Sequence, residues 1–263
     1  MQLLKLNPTT PGIRHKIKLS KNLLSKKGSI YKKLNLNNHR FQGRSPQTGH
    51  ITSWHRGGGC KKLFRHINFF NFATKAIFIT TLYDPYRSSF ISLSFDFVNK
   101  YFYYFLASQS VFPGSIFLCN SKKIELFFGN RTLLLNFFVG NFLYNLSLNL
   151  KSKAKYCRSA GTFCQIIQQN ILVTKIRIPS GKVITLNSNL YATLGRVSNI
   201  KHNLIVKGNA GSNRLRGFRP IVRGIAMNPV DHPHGGRTNG GQPSATPWGL
   251  LTKGKPTVKK KYE

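Results

Sequence analysis

The segment ISLSFDFVNKYFYYFL, residues 91–106, decides the fold. Ile91, Leu93, Phe95 and Phe97 alternate with Ser92, Ser94 and Asp96, a period of two that suits a strand. Val98-Asn99-Lys100 then turns the chain into the aromatic run 101–106, so the segment predicts a β-hairpin. Upstream, residues 76–83 are β-branched and aromatic and stop at Asp84-Pro85-Tyr86-Arg87. Downstream, Pro113-Gly114 marks the next turn. These pieces predict one small barrel over residues 60–128.

A second set follows. Phe142, Tyr144, Leu146, Leu148 and Leu150 alternate with Asn145, Ser147 and Asn149. Residues 162–168 and 171–178 read as further strands, and Pro179-Ser180-Gly181 turns into residues 182–186. Short strands with Gly and Pro turns predict a second all-β barrel, over residues 129–200. No stretch keeps a helical period for three turns. The uncharged stretch 132–150 also admits a membrane-spanning reading. Asn136, Asn141, Asn145 and Asn149 would then lie in lipid, and the alternation favours strands, so no membrane insertion is expected.

Charge divides the chain. It holds 41 Lys plus Arg against 5 Asp plus Glu, a formal charge of +36. Repulsion on that scale opposes compaction unless a polyanion neutralises it. Nucleic acid does so, and counterion release adds to the binding. Between Glu125 and Glu263 the one acid is Asp231, which leaves little for carboxylate catalysis. Residues 1–67 hold 15 of the cations and no acid, residues 68–150 hold 16 of the 20 Phe, and residues 201–263 hold 12 cations and 10 Gly. The pattern is a basic N-terminal extension, 1–59, and a Gly- and Pro-rich basic C-terminal extension, 201–263, around an apolar centre. The first residues are basic and acid-free, as in a mitochondrial presequence, but Pro8 and Pro11 interrupt an amphipathic helix. A chain made inside an organelle needs no such address. High Phe, Asn, Lys, Ile, Leu and Tyr usage fits AT-rich codons, a hint of an organellar genome.

Four cysteines, Cys60, Cys119, Cys157 and Cys164, include no C-x-x-C pair, so a zinc ribbon is not expected. Cys157 and Cys164 are spaced to bridge a hairpin; reduced thiols are the simpler reading.

The C-terminal run GFRPIVRGIAMNPVDHPHGGRTNGGQPSATPW, residues 217–248, has almost no apolar periodicity. Such a segment buries too little apolar surface to offset its ordering entropy alone. Arg219, Arg223 and Arg237 make the surface that shapes it anionic, and RNA is the expected partner. Within the run, Asp231-His232-Pro233-His234 resembles a metal or catalytic cluster, but no other nearby acid or Cys completes a site. The alternative is a rigid loop whose Asp orders backbone amides and whose imidazoles donate to RNA. Trp248 stacks on a base or fills a local pocket. Near the other end, His55-Arg56-Gly57-Gly58-Gly59, with Lys61, Lys62 and Arg65, is a Gly-rich turn followed by cations. It lacks the Walker spacing and reads as amides and side chains around phosphate. Arg87 either pairs with Asp84 across a turn or points outward to phosphate. Lys151, Lys153, Lys155 and Arg158 lead into Ser159-Ala160-Gly161, where small residues permit close approach to a groove. A solvated charged loop is the plainer reading of that run.

The run Val222-Arg223-Gly224 with Ala226-Met227-Asn228-Pro229-Val230-Asp231-His232-Pro233-His234-Gly235-Gly236 resembles the signature of the universal large-subunit ribosomal protein number two family, bacterial type. Thr9-Thr10-Pro11-Gly12, Gly49-His50-Ile51-Thr52, Tyr83-Asp84-Pro85, Arg158-Ser159-Ala160-Gly161-Thr162, Ala192-Thr193-Leu194-Gly195 and Thr246-Pro247-Trp248-Gly249 support it in order along nearly the whole chain. The resemblance implies an OB-fold barrel followed by an SH3-like barrel, with both extensions threaded into rRNA. It implies rRNA contacts at Arg87 and Arg158, and places the Asp231–Gly236 loop, with Asn228, near the peptidyl transferase centre. His232 then supports rRNA structure, since catalysis there belongs to RNA. Implied partners are large-subunit rRNA, neighbouring ribosomal proteins, the small subunit and the tRNA region. No cofactor is implied beyond Mg2+ within the rRNA. Cys60 departs from the family's usual polar residue, and residues 88–150 match poorly. Arg237-Thr238-Asn239-Gly240-Gly241 resembles plant-mitochondrial forms. A mitochondrial ribosome is the expected setting, with a plastid ribosome as the alternative.

Overall fold

The computed structural model describes residues 2–25, 34–36, 43–69, 74–122, 124–149, 153–237 and 242–254. Its strands are β1 (Leu3–Lys5), β2 (Ile17–Leu19), β3 (Asn35–Leu36), β4 (Phe64–Arg65), β5 (Thr74–Leu82), β6 (Ile91–Asp96), β7 (Phe102–Leu106) and β8 (Ile116–Cys119). They continue as β9 (Arg131–Leu133), β10 (Phe142–Tyr144), β11 (Leu146–Ser147), β12 (Ala154–Tyr156), β13 (Cys164–Gln169), β14 (Val173–Arg177), β15 (Val183–Asn187) and β16 (Tyr191–Leu194). Helices are short: α1 is Pro11–Arg14 and α2 is Ala210–Leu215. The protein is all-β as expected, an OB-fold barrel followed by an SH3-like barrel. Among the described residues no helix is long and apolar enough to cross a membrane.

Residues Met1–Arg40 and Cys60–Ser212 form one compact unit. Ten of its strands share one sheet in the order β15-β14-β13-β10-β16-β9-β8-β5-β6-β7. The hairpin expected over residues 91–106 is β6 and β7, antiparallel from Ile91↔Leu106 to Phe95↔Phe102. Asp96 closes its turn, accepting from Val98 N at 2.9 Å and Asn99 Nδ2 at 2.8 Å. The apolar face packs as the alternation predicts at its first two positions, where Ile91 and Leu93 are buried with Ile67, Leu82 and Tyr104; Phe95 is half-buried and Phe97 exposed.

The polar face does not stay wet. Ser92 and Ser94 are buried as well. β6 lies between β5 and β7, where Ser92 stands opposite Phe105 and Ser94 opposite Phe78 and Tyr103. Phe105 meets Phe117 edge-on at 4.8 Å, and Phe78 lies 6.1 Å from Phe117. Small serines leave room for this aromatic layer, so the second face is covered too.

The strands from β9 onward enclose Leu134, Phe137, Leu143, Tyr144, Leu146, Ile166, Ile176 and Ala192. Here the alternation misplaces a strand. Leu143 is fully buried while Phe142 is 48 % exposed. Asn145 breaks the run with φ +53°, so β10 and β11 belong to different sheets. The break is held from outside the strand: Arg131 Nη1 donates to Asn145 O at 2.8 Å, and Asn145 N donates to Cys157 O at 3.1 Å. Leu150, the last residue of this expected pattern, and Lys151, the first of the basic run before Arg158, lie outside the described residues.

β8 and β9 meet at one parallel pair, Cys119↔Arg131. Cys157 and Cys164 are free thiols rather than a bridge, and Cys164 Sγ donates to Leu143 O at 3.2 Å. The N-terminal residues pack on this unit: Ile17 N donates to Val206 O at 3.0 Å, and Leu24 is buried with Phe90 and Ala107.

Residues Phe41–Gly59 and Asn213–Glu263 form the other unit. Arg56 and Phe218 pair as an antiparallel bridge. Gly57 N donates to Gly217 O at 3.1 Å, and Arg219 N to His55 O at 2.9 Å. Segments read from charge as parts of opposite extensions thus hydrogen-bond to one another.

Candidate nucleic-acid interface

Asp84 organises the first site. It is fully buried at the end of β5. Its Oδ1 accepts from Tyr86 N at 3.0 Å and lies 3.7 Å from Arg65 Nη1. Its Oδ2 accepts from Arg87 Nε. Arg87 therefore does pair with Asp84, yet its side chain keeps 22 % exposure. The carboxylate neutralises and fixes the guanidinium, so the free N–H groups are pre-aimed.

Arg158 arrives from the other strand set, in the exposed loop after β12. Its guanidinium carbon is 5.2 Å from the Phe69 ring centroid; that of Arg87 is 5.9 Å from the same ring. Main-chain contacts lock the two loops together. Ala160 N donates to Ser88 Oγ at 3.1 Å, and Asn199 Nδ2 to Ser88 O at 2.6 Å. Gly161 O accepts from Arg196 Nε at 2.8 Å, which also sets that guanidinium 4.8 Å over Phe163. The result is a fixed cationic surface with aromatic backing, a surface suited to phosphate and to bases. Ser159 and Lys155 are exposed beside it, as is Lys153.

Arg65 sits differently from the cations it was grouped with. Only 6 % of it is exposed, and it faces Asp84 from within. Lys61 is exposed and Lys62 half-buried. Phe69 and Arg196 carried no sequence signal as site residues; it takes the fold to bring either to the arginine loops.

The second site lies wholly in the other unit. Met227–Gly236 closes on its own backbone. Asn228 O accepts from Asp231 N at 3.0 Å and His232 N at 3.3 Å, while Gly236 N donates to Met227 O at 3.2 Å. Gly235 is required here: a Cβ on it would stand 2.2 Å from Asn228 O. The loop is rigid, as expected, but the ordering differs. Asn228 O collects the amides, and among the described residues the exposed Asp231 side chain makes no hydrogen bond. His232 is 8 % exposed and packs under Gly224, where a Cβ would meet the ring at 2.7 Å. Its Nδ1 accepts from His234 N at 3.0 Å, so the neutral ring carries its proton on Nε2. His232 is thus a prop inside the loop, with one nitrogen already committed. His234 Nε2 lies 2.9 Å from Pro243 O. No group of three or more metal-ligating side chains occurs among the described residues. Arg219, Arg223 and Arg237 are exposed around the loop.

The Gly-rich turn is also partly committed, since the Gly57 amide bonds to Gly217. His55 Nδ1 lies 3.1 Å from Pro220 O, and Arg56 stacks 4.3 Å over Phe218. Gly58 and Gly59 continue the turn beside them with positive φ. Trp248 lies 5.4 Å from Trp54, a neighbour that no local pattern predicts.

The family model described as Ribosomal Proteins L2, RNA binding N-terminal domain, matches residues 31–119. That described as Ribosomal Proteins L2, C-terminal domain, matches residues 128–249. Large ribosomal subunit protein uL2m of Reclinomonas americana is 41 % identical over 269 aligned positions, covering 100 % of this chain and 96 % of that protein. Large ribosomal subunit protein uL2 of Rickettsia prowazekii is 39 % identical, covering 99 % and 96 %. Its counterpart in Wolbachia pipientis is 40 % identical, covering 97 % and 93 %.

Proposed function

The chain belongs to the ribosomal protein L2 family, and from that membership we propose that it is a structural constituent of a large ribosomal subunit, held there by rRNA and neighbouring ribosomal proteins. It is a ribosomal structural protein and not an enzyme. The observation that carries the RNA reading is the convergence of Arg87 and Arg158 on Phe69, with Asp84 fixing one of them. These cations meet rRNA phosphates, and Ser159 lets the backbone approach. Lys61 and Lys62 in the same unit, and Arg56, Arg219, Arg223 and Arg237 in the other, add phosphate contacts of their own. Arg65 serves it from inside by holding Asp84.

The 227–236 loop, stiffened by His232, presents Asn228, Asp231 and His234 to rRNA. Its match to the family run supports a place near the peptidyl transferase region, with parts in subunit assembly, subunit association and tRNA binding. We divide the chain at residues 59, 128 and 200, into a basic extension, the OB-fold barrel, the SH3-like barrel and a second extension. The single β8–β9 pair supports the middle boundary. A mitochondrial ribosome is the setting we favour; the 41 % identity to uL2m of Reclinomonas americana and the AT-type residue usage support it.

The test is binding of the full chain to a large-subunit rRNA fragment across a salt series. A steep inverse dependence on salt supports phosphate contact at many cations. Salt-independent binding, or none, overturns the proposal.

A further inference from the structure

The chain contains two tryptophans, and the fold brings both to one place. Trp54 lies in a turn anchored on both sides. Before it, Gly43 O accepts from Thr52 N at 2.8 Å and Ser53 N at 2.9 Å. After it, Arg56 bridges to Phe218. Trp248 occupies the tip of a tight hairpin: Ala245 pairs with Leu251, and Gly249 N donates to Thr246 O at 2.9 Å. Thr246 Oγ1 accepts from Leu250 N at 3.1 Å and stiffens the same turn. Two braced turns thus each display an indole.

The indoles meet at 5.4 Å between centroids with their planes 51° apart. Trp54 remains 53 % exposed and Trp248 66 % exposed. A pair that served only to pack would bury these rings, because each carries a large apolar area. An open wedge of two tilted rings instead offers π faces to a planar guest. The surroundings choose the guest. Across residues 43–59 and 213–254 Asp231 is the one acid, set against Arg44, Arg56, Arg214, Arg216, Arg219, Arg223, Arg237 and Lys253. A planar, uncharged ring attached to a polyanionic chain fits both features.

We propose that Trp54 and Trp248 form a two-ring platform that receives one unpaired nucleobase of the RNA, while nearby arginines hold the flanking phosphates. This rests on the rRNA-binding reading above and adds to it a base-stacking subsite. Stacking is tolerant of base identity, so the platform selects an unpaired nucleotide rather than a sequence.

Both tryptophans report on this site alone, so intrinsic emission of the full chain is a direct readout. Oligoadenylate should quench it, whereas inorganic polyphosphate should bind without comparable quenching. RNA duplex should quench less than the single strand. Trp248→Leu and Trp54→Leu should each weaken oligoadenylate binding roughly tenfold with polyphosphate binding unchanged. Trp248→Phe and Trp54→Phe, which retain a ring, should recover most of it. Equal quenching by polyphosphate and oligoadenylate overturns the platform while leaving RNA binding in place. So does unchanged emission on bound RNA, which assigns the exposed pair to a protein neighbour. Failure of the chain to bind any RNA overturns the rRNA-binding reading itself, and the platform with it.

Discussion

Arg87 and Arg158 come from different strand sets, yet both set their guanidinium groups over one ring, Phe69, at 5.9 and 5.2 Å. Ser88, next to Arg87, and Ala160, two residues after Arg158, are hydrogen-bonded at 3.1 Å. The cationic surface is therefore built from a junction of loops and does not depend on any single one.

Removing the more exposed of the two cations tests its share of binding. Arg158→Ala should weaken binding to an rRNA fragment about tenfold. The slope of log affinity against log salt should become shallower by about 1. A weaker affinity at unchanged slope would mean that Arg158 positions the loop and does not meet a phosphate.

Asp84 should matter for stability more than for charge. It is fully buried and pairs with both Arg65 and Arg87. Breaking a buried pair from one side typically costs about 3–5 kcal/mol. Asp84→Asn should therefore lower Tm sharply, even though it makes the chain more cationic. An unchanged Tm with tighter RNA binding would show that only the charge matters.

Gly224 and His232 should show strong coupling. Gly224→Ala sets a methyl against the imidazole, which cannot move far inside the closed loop. His232→Ala removes the ring that it strikes. The double variant should be less impaired than the sum of the two, measured by protease sensitivity of residues 222–236. Additive effects would place the two residues in separate packing environments.

Thiol reactivity maps the interior. Burial pushes the Cys119 thiol up to about 11, with Arg131 opposing the shift in part. Only about a thousandth of it is thiolate at pH 8, so the group gains reactivity as pH rises towards 11. Cys60 is exposed. Alkylation at pH 8 should label Cys60 first and Cys119 far more slowly. Equal labelling would contradict the β8–β9 junction.

Much of the fold was legible in the sequence, and the exceptions share a cause. The 91–106 hairpin was readable because alternation and turn are local. Residues 142–149 were not, because the kink at Asn145 is held by Arg131 and Cys157, which no local pattern reveals. The burial of Ser92 and Ser94 is not legible in the alternation, because the aromatic layer that covers them comes from other strands. In the candidate interface Arg158 was legible from its basic, small-residue loop. Phe69, and the meeting of Trp54 with Trp248, arise only when distant segments are brought together. For Arg65 and His232, residue type pointed outward while burial turned them inward.

The measurement that bears most directly on the central claim is sedimentation of the chain from an extract of its source cells on a density gradient. Membership of the large subunit predicts that it travels with large-subunit rRNA at low salt and is progressively released as salt rises, earlier for the Arg158→Ala variant. Migration as free protein at low salt, or retention with membranes after rRNA is digested, would contradict the account.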